Sequence, residues 1–175
     1  MKTLIFPNLR QTYDYDCGAS ALQSVLVYYG FEVREDEIMS ASKTDRKGTT
    51  IQGIINTVEK YGLKYLAKTM DIAEVKSFID KAIPVIMVVQ AWANKQEIKS
   101  EDDWDDSHYV VAIGYDAHKI YFADPSSFKT VFLKYKELKK RWHGLDINKQ
   151  KYINYGLAIY GKKHVFDPKK IVHLD

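Results

Sequence analysis

The chain has 175 residues, 46% of them hydrophobic and 28% charged, with a formal net charge of +3. That is an ordinary soluble composition, long enough to bury a core without staples, and too weakly basic to argue for a nucleic-acid partner. A single cysteine, Cys17, excludes an internal disulfide and a cysteine-built zinc site, which leaves a buried thiol or a nucleophile.

The N-terminus, MKTLIFPNLRQ, lacks the form of a secretion signal, because its apolar run of about four residues is followed by Pro and Arg. The longest apolar run, residues 84–93, is far too short to span a membrane. One domain over residues 1–175 is expected, with its core over about 5–160 and a short C-terminal tail. A cytoplasmic monomer without a membrane span is the corresponding expectation. The 13 Tyr, 7 Phe and 3 Trp suit a well-packed core or a groove that grips extended chains.

Residues 17–29, CGASALQSVLVYY, carry apolar positions at helical spacing. Asp16 stands where an N-cap would, and Gly30 suits the C′ position. A short helix is predicted over 34–41. A third runs through IQGIINTVEKYG, with Thr50 as N-cap and Gly62 as stop. Residues 63–69 alternate like a strand, and Asp71 opens a further helix that ends before Pro84.

The second half changes character. VIMVVQAW, HYVVAIGYD, KIYFADP and KTVFLK are β-branched and aromatic runs separated by turn residues. A tight hairpin through Ala117-His118 joins the second and third. KYKELKKRWH reads as a helix with a solvated basic end, and NYGLAIYGKK as a last strand. Helices first and an antiparallel sheet afterwards read as α+β.

A thiol nucleophile acts as the thiolate, which a helix N-terminus or a nearby imidazolium favours. Cys17 lies at such a helix start, between Asp16 and Gly18, where a missing side chain would let a substrate backbone come close. Of the five histidines, His108 alone opens an apolar strand after an acidic stretch; His118, His143, His164 and His173 lie in a turn, a helix end and the tail. Asp124 ends the next strand but one hairpin away, so adjacent antiparallel strands could bring it beside His108. Taken singly, His108 also fits a structural histidine, and Asp124-Pro125 an ordinary turn. Gln11, six residues before Cys17, carries an amide suited to an oxyanion.

The segment from Gln11 through Asp16, Cys17 and Gly18 to Tyr28-Tyr29-Gly30 resembles the signature of the C39 peptidases. These are bacterial papain-like cysteine peptidases that remove leader peptides after a double glycine. His108-Tyr109-Val110-Val111 and Asp124-Pro125 match further motifs in the family's order, over roughly residues 5–135. The resemblance implies a papain-like fold, Cys17 as nucleophile, His108 as base, Asp124 as its orienting group and Gln11 as oxyanion donor. It implies a peptide or protein substrate, no metal or organic cofactor, and a separate exporter as partner. No transmembrane or nucleotide-binding segment follows in this sequence, so the stand-alone C39-like group is the expected branch.

The acidic, aromatic stretch at 92–107 lies just before His108 and reads either as a substrate rim or as a solvated loop. As a rim it would make Trp104 and Ser107, with Gly18, substrate contacts. The expected reaction is peptide hydrolysis through a thioester, with Gly-Gly specificity inherited only from the resemblance. The same Cys-His-Asp set could also serve a deamidase or acyltransferase, or stand unused in a peptide-binding module.

Overall fold

The computed structural model describes residues 1–92 and 102–174. In chain order the elements are β1 (Lys2–Thr3), α1 (Cys17–Tyr28), α2 (Glu35–Ser42), α3 (Ile51–Lys60), β2 (Lys64–Thr69), α4 (Ile72–Asp80) and β3 (Val85–Gln90). They continue with β4 (Ser107–Tyr115), β5 (Lys119–Ala123), β6 (Thr130–Lys134), α5 (Tyr135–Arg141), β7 (His143–Leu145), β8 (Lys151–Ile153) and β9 (Tyr155–Tyr160). The fold is α+β, and its sheet is antiparallel in the order β2-β9-β3-β4-β5-β6, with β1 pairing the far end of β4.

The local signals act as their chemistry requires. Thr50 Oγ1 accepts the Gly53 N–H, and Asp71 and Glu74 form a reciprocal capping box at the start of α4. Gly30 takes φ +81° just past α1, a conformation open to a residue without Cβ. Asp116 Oδ1 accepts the His118 and Lys119 N–H groups and so closes the β4–β5 hairpin in the expected place.

The strands divide two cores between the faces of one sheet. Tyr109, Val111 and Ile113 of β4, with Leu157 and Ile159 of β9, face α1 and α3. Val110 and Ala112 of β4, with Val85, Met87 and Val89 of β3, face α4 and α5. Period-two side-chain alternation produces this split, and it explains why the central strand β3 is buried along its whole length. The expected layout of N-terminal helices on a C-terminal sheet is therefore incomplete. The sheet is covered on both faces, and β2 joins its edge from within the helical half. Helix α1 is buried on nearly every side, which its Ala, Ser and Gly residues permit by letting neighbours approach closely. The Tyr29 hydroxyl donates to Ile159 O at 2.6 Å and fixes the helix's C-terminal end against β9. Among the described residues no helix is long and apolar enough to cross a membrane.

Candidate active site

Cys17 is the first residue of α1 and is partly exposed. Its neighbour Gly18 is buried, and what its missing side chain permits is a protein contact. A Cβ there would lie 2.8 Å from Thr49 Cβ and 3.1 Å from Tyr109 Cδ2. The close approach expected for a substrate backbone is instead made by the Thr49 loop and β4. The Tyr109 hydroxyl donates to Thr49 O at 2.9 Å and holds that loop against the sheet. Gly18→Ala is expected to destabilise the protein by about 1–3 kcal/mol through overpacking, outweighing the helix-propensity gain of at most ~1 kcal/mol. Urea unfolding checks this, and an unchanged or raised midpoint would refute it.

His108 lies near the start of β4 and is almost wholly buried. Its Nε2 is 2.7 Å from Asp124 Oδ1, just past the end of β5. The Cys17 thiol is the imidazole's other electrostatic partner. With Nε2 taken by Asp124, Nδ1 is the nitrogen left for the thiol. Burial works against a charged imidazole here. The hydrogen bond to Asp124 and the interactions with Cys17 outweigh it, so the His108 pKa stands at about 9 rather than 6.5. Burial likewise works against the Asp124 carboxylate. The His108 partner and the Ser126 N–H and hydroxyl, both 2.8 Å from Oδ1, overcome it and hold that carboxyl below its ordinary pKa. The Trp92 ring lies against the imidazole, 5.2 Å between centroids.

Gln11 comes to the same region by its backbone, whose N–H donates to Pro125 O at 2.9 Å. Its side-chain Nε2 donates to Tyr13 O at 2.5 Å. The carboxyl of Asp16 does not cap α1 as expected. It turns back into the loop and accepts the Tyr13 N–H.

A cleft of about 460 Å³ opens beside Cys17, lined by Thr49, Trp104, Ser107, Tyr109 and Leu145 among others. Trp104 packs on His143, 4.6 Å between centroids, and Lys151 Nζ lies 4.7 Å from the centre of the Trp104 ring. The Ser107 hydroxyl is committed to the protein: it accepts from Leu145 N at 2.8 Å and from Gln90 Nε2 at 3.3 Å. Ser107 lines the cleft, but its hydrogen-bonding holds the wall together. Of the 92–107 stretch, Trp104, Asp105 and Ser107 form part of this wall, and residues 93–101 lie outside the described residues.

Sequence reasoning missed how that wall is braced. His143 is buried in β7, where its Nε2 donates to Asp103 O at 2.7 Å. Gln90, buried at the end of β3, donates to His143 O and accepts the Asp106 N–H, while its carbonyl accepts from Arg141 Nε. A polar residue ending an otherwise apolar strand was the one available signal for Gln90. A second hollow of about 210 Å³ is lined by His108, Asp124, Trp92, Val110, Phe122 and Phe132 among others. Among the described residues no group of three or more His, Cys, Asp and Glu side chains is placed to hold a metal ion.

A carboxylate hydrogen-bonded to an imidazole, with a thiol as that ring's other electrostatic partner beside an open cleft, is an arrangement suited to acyl transfer. Residues 6–151 match the model of the peptidase C39 family. The chain belongs to that family. It is 30% identical over 146 residues to the lactococcin-G-processing and transport ATP-binding protein LagD of Lactococcus lactis subsp. lactis. That match covers 83% of this chain but only 18% of the larger protein. A protein of Methanothermobacter marburgensis is 27% identical over 118 residues, covering 67% of this chain and 70% of its own length.

The fold is that of C39 peptidase domains. The peptidase domain of Streptococcus ComA, a bifunctional ABC transporter of a quorum-sensing pathway, superposes with a TM-score of 0.67 at 22% identity, over 88% of this chain and 97% of that one. A C39-like peptidase from Bacillus anthracis superposes at 0.68 and 17% identity, over 94% and 100%. A double-glycine-motif protease from an AMS/PCAT transporter, solved with its leader peptide, gives 0.68 at 18%, over 91% and 94%.

Proposed function

We propose that this C39 domain is a cysteine peptidase that cleaves a leader-bearing peptide through a thioester acyl-enzyme. The observation that carries the reading is the His108 imidazole set between Asp124 Oδ1 at 2.7 Å and the Cys17 thiol at a helix start. In this reading the Cys17 thiolate attacks the scissile carbonyl carbon and forms the C–S bond. The Cys17 N–H and the Gln11 amide donate hydrogen bonds to the developing oxyanion. His108 gives its Nδ1 proton to the departing amine as the C–N bond breaks, which leaves the thioester. It then takes a proton from water, whose oxygen attacks the thioester. The carboxylic acid leaves and the thiolate–imidazolium pair is restored. Asp124 keeps the ring oriented throughout.

Trp104 would offer an aromatic surface to an extended chain in the 460 Å³ cleft. The domain that binds a leader peptide in the AMS/PCAT transporter supports a substrate with a double glycine before the cut, as does the processing role in the name of LagD. A separate exporter would then carry the product.

The test is a peptide of about 25 residues with an internal Gly-Gly, long enough to fill a groove of this kind. Mass spectrometry is expected to show two fragments divided after the second glycine. A single chain carrying an acid in place of an amide would instead establish deamidation, and a cross-linked product would establish acyl transfer. No Cys17-dependent product from any such peptide would overturn the enzymatic reading.

A further inference from the structure

Asp16 is fully buried beside Cys17, and no cationic side chain pairs with it among the described residues. Its two oxygens lie 3.2 and 3.1 Å from the Tyr13 nitrogen, whose N–H they accept. Glu35, the first residue of α2, reaches the same loop from the other side, where its Oε2 accepts the Thr12 hydroxyl. Its Oε1 is buried with no hydrogen-bond partner. Burial raises the pKa of both carboxyls, and the charge of Asp16 raises that of Glu35 further. Asp16 is buried and Glu35 half-buried, and like-charged carboxyls so placed cost stability unless donors meet them. Here the loop's own Thr12 and Tyr13 are those donors, so the carboxyls determine the loop's shape.

That loop runs from Gln11 to Cys17, and its geometry links the two. The Tyr13 main chain is held on both sides of its Cα: its N–H by Asp16, and its carbonyl, in the following peptide unit, by the Gln11 Nε2–H at 2.5 Å. Gln11 is also tied through its backbone to Pro125, beside Asp124. An oxyanion donor acts only if something fixes it before the charge develops.

We propose that Asp16, supported by Glu35, is a positioning residue that sets the Gln11 amide through Tyr13, so that the amide meets the oxyanion formed at Cys17. This rests on the thiol-peptidase reading above. Its test separates acylation from alkylation of the same sulfur. Attack of the Cys17 thiolate on p-nitrophenyl acetate forms a tetrahedral oxyanion and releases p-nitrophenolate. Iodoacetamide alkylates the thiolate by displacing iodide, with no oxyanion.

Asp16→Asn and Glu35→Gln are each expected to slow acylation by about tenfold to a hundredfold, somewhat less than loss of an oxyanion donor, while changing the alkylation rate less than about threefold. In a Gln11→Ala background, Asp16→Asn is expected to slow acylation by less than about twofold, because the two act through one donor. Unchanged acylation in both single variants overturns the proposal. So does a parallel loss of alkylation, which would mean that the thiol itself was disturbed, or a full additive loss in the double variant. If Asp16→Asn does not fold, the isosteric Glu35→Gln decides the outcome by the same ratio. No Cys17-dependent release of p-nitrophenolate by the wild-type protein would overturn the peptidase reading and this proposal together.

Discussion

Cys17→Ala is expected to lower peptide cleavage by about 10^4-fold or more, to the background left by substrate binding and the oxyanion donors alone. The size of the effect follows from the chemistry: a thioester needs a thiol, and Cys17 is the chain's single cysteine. Among the lining side chains are Asp14, Trp104, Asp105 and Asp146, and only Cys17 carries sulfur. The fold should persist, because Cys17 is partly exposed and lines the cleft, packing only at the edge of the core. A loss of activity with an unchanged unfolding midpoint would therefore place the effect on chemistry. Cys17→Ser is a useful companion, since a hydroxyl keeps the size but is far less readily ionised. Retained cleavage in Cys17→Ala would sink the nucleophile assignment outright.

How much of this was readable in advance differs by residue, for physical reasons. Helices α1, α3 and α4 announced themselves because their ends carry local chemistry: Thr50 and Asp71 accept N–H groups three residues on, and Gly30 and Gly62 adopt positive φ. His108 and Asp124 could be paired because β4 and β5 are joined by a tight hairpin, so a short sequence separation stands in for nearness in space.

Contacts across long separations left no such trace. His143 sits in a basic stretch that reads as a solvated helix end, yet it is buried and holds Asp103, 40 residues away. The β7–β8 hairpin has only three residues in each strand, too few for alternation to show. Gly18 was expected to admit a substrate backbone, and only packing could say that Thr49 and Tyr109 come close to it. Asp16 had the right residue type for an N-cap, and the competing N–H of Tyr13 claimed its carboxylate instead.

Asp124→Ala is expected to reduce kcat by about 10^2- to 10^4-fold, the range spanned by loss of proton-transfer help and loss of imidazole orientation. Asp124→Asn should separate orientation from charge. All three hydrogen bonds meet at one oxygen, Oδ1, which accepts from His108 Nε2 and from the Ser126 N–H and hydroxyl. An Asn carbonyl can keep them, so the ring stays oriented and kcat near neutral pH falls much less than in the Ala variant. What is lost is the negative charge.

That loss acts on the His108 pKa, which burial lowers and the Asp124 hydrogen bond, Cys17 and the Asp124 charge raise to about 9. The folded value lies above the ordinary 6.5, so the imidazolium's stabilising contribution is fully present below about pH 6.5 and disappears as pH rises through 9. The proton that the leaving amine receives is lost over the same interval. The wild-type profile of kcat/KM should therefore have an alkaline limb near pH 9, and in Asp124→Asn that limb should move toward 6.5. Asp124 titrates at the opposite end. Its folded pKa lies below 3.8, so its contribution is present above that value and falls away only as pH drops through the lower one. An alkaline limb that stays in place in Asp124→Asn would show that the carboxylate's charge does not support the imidazolium. If Asp124→Ala also kept its kcat, the His108–Asp124 hydrogen bond would have no part in the reaction.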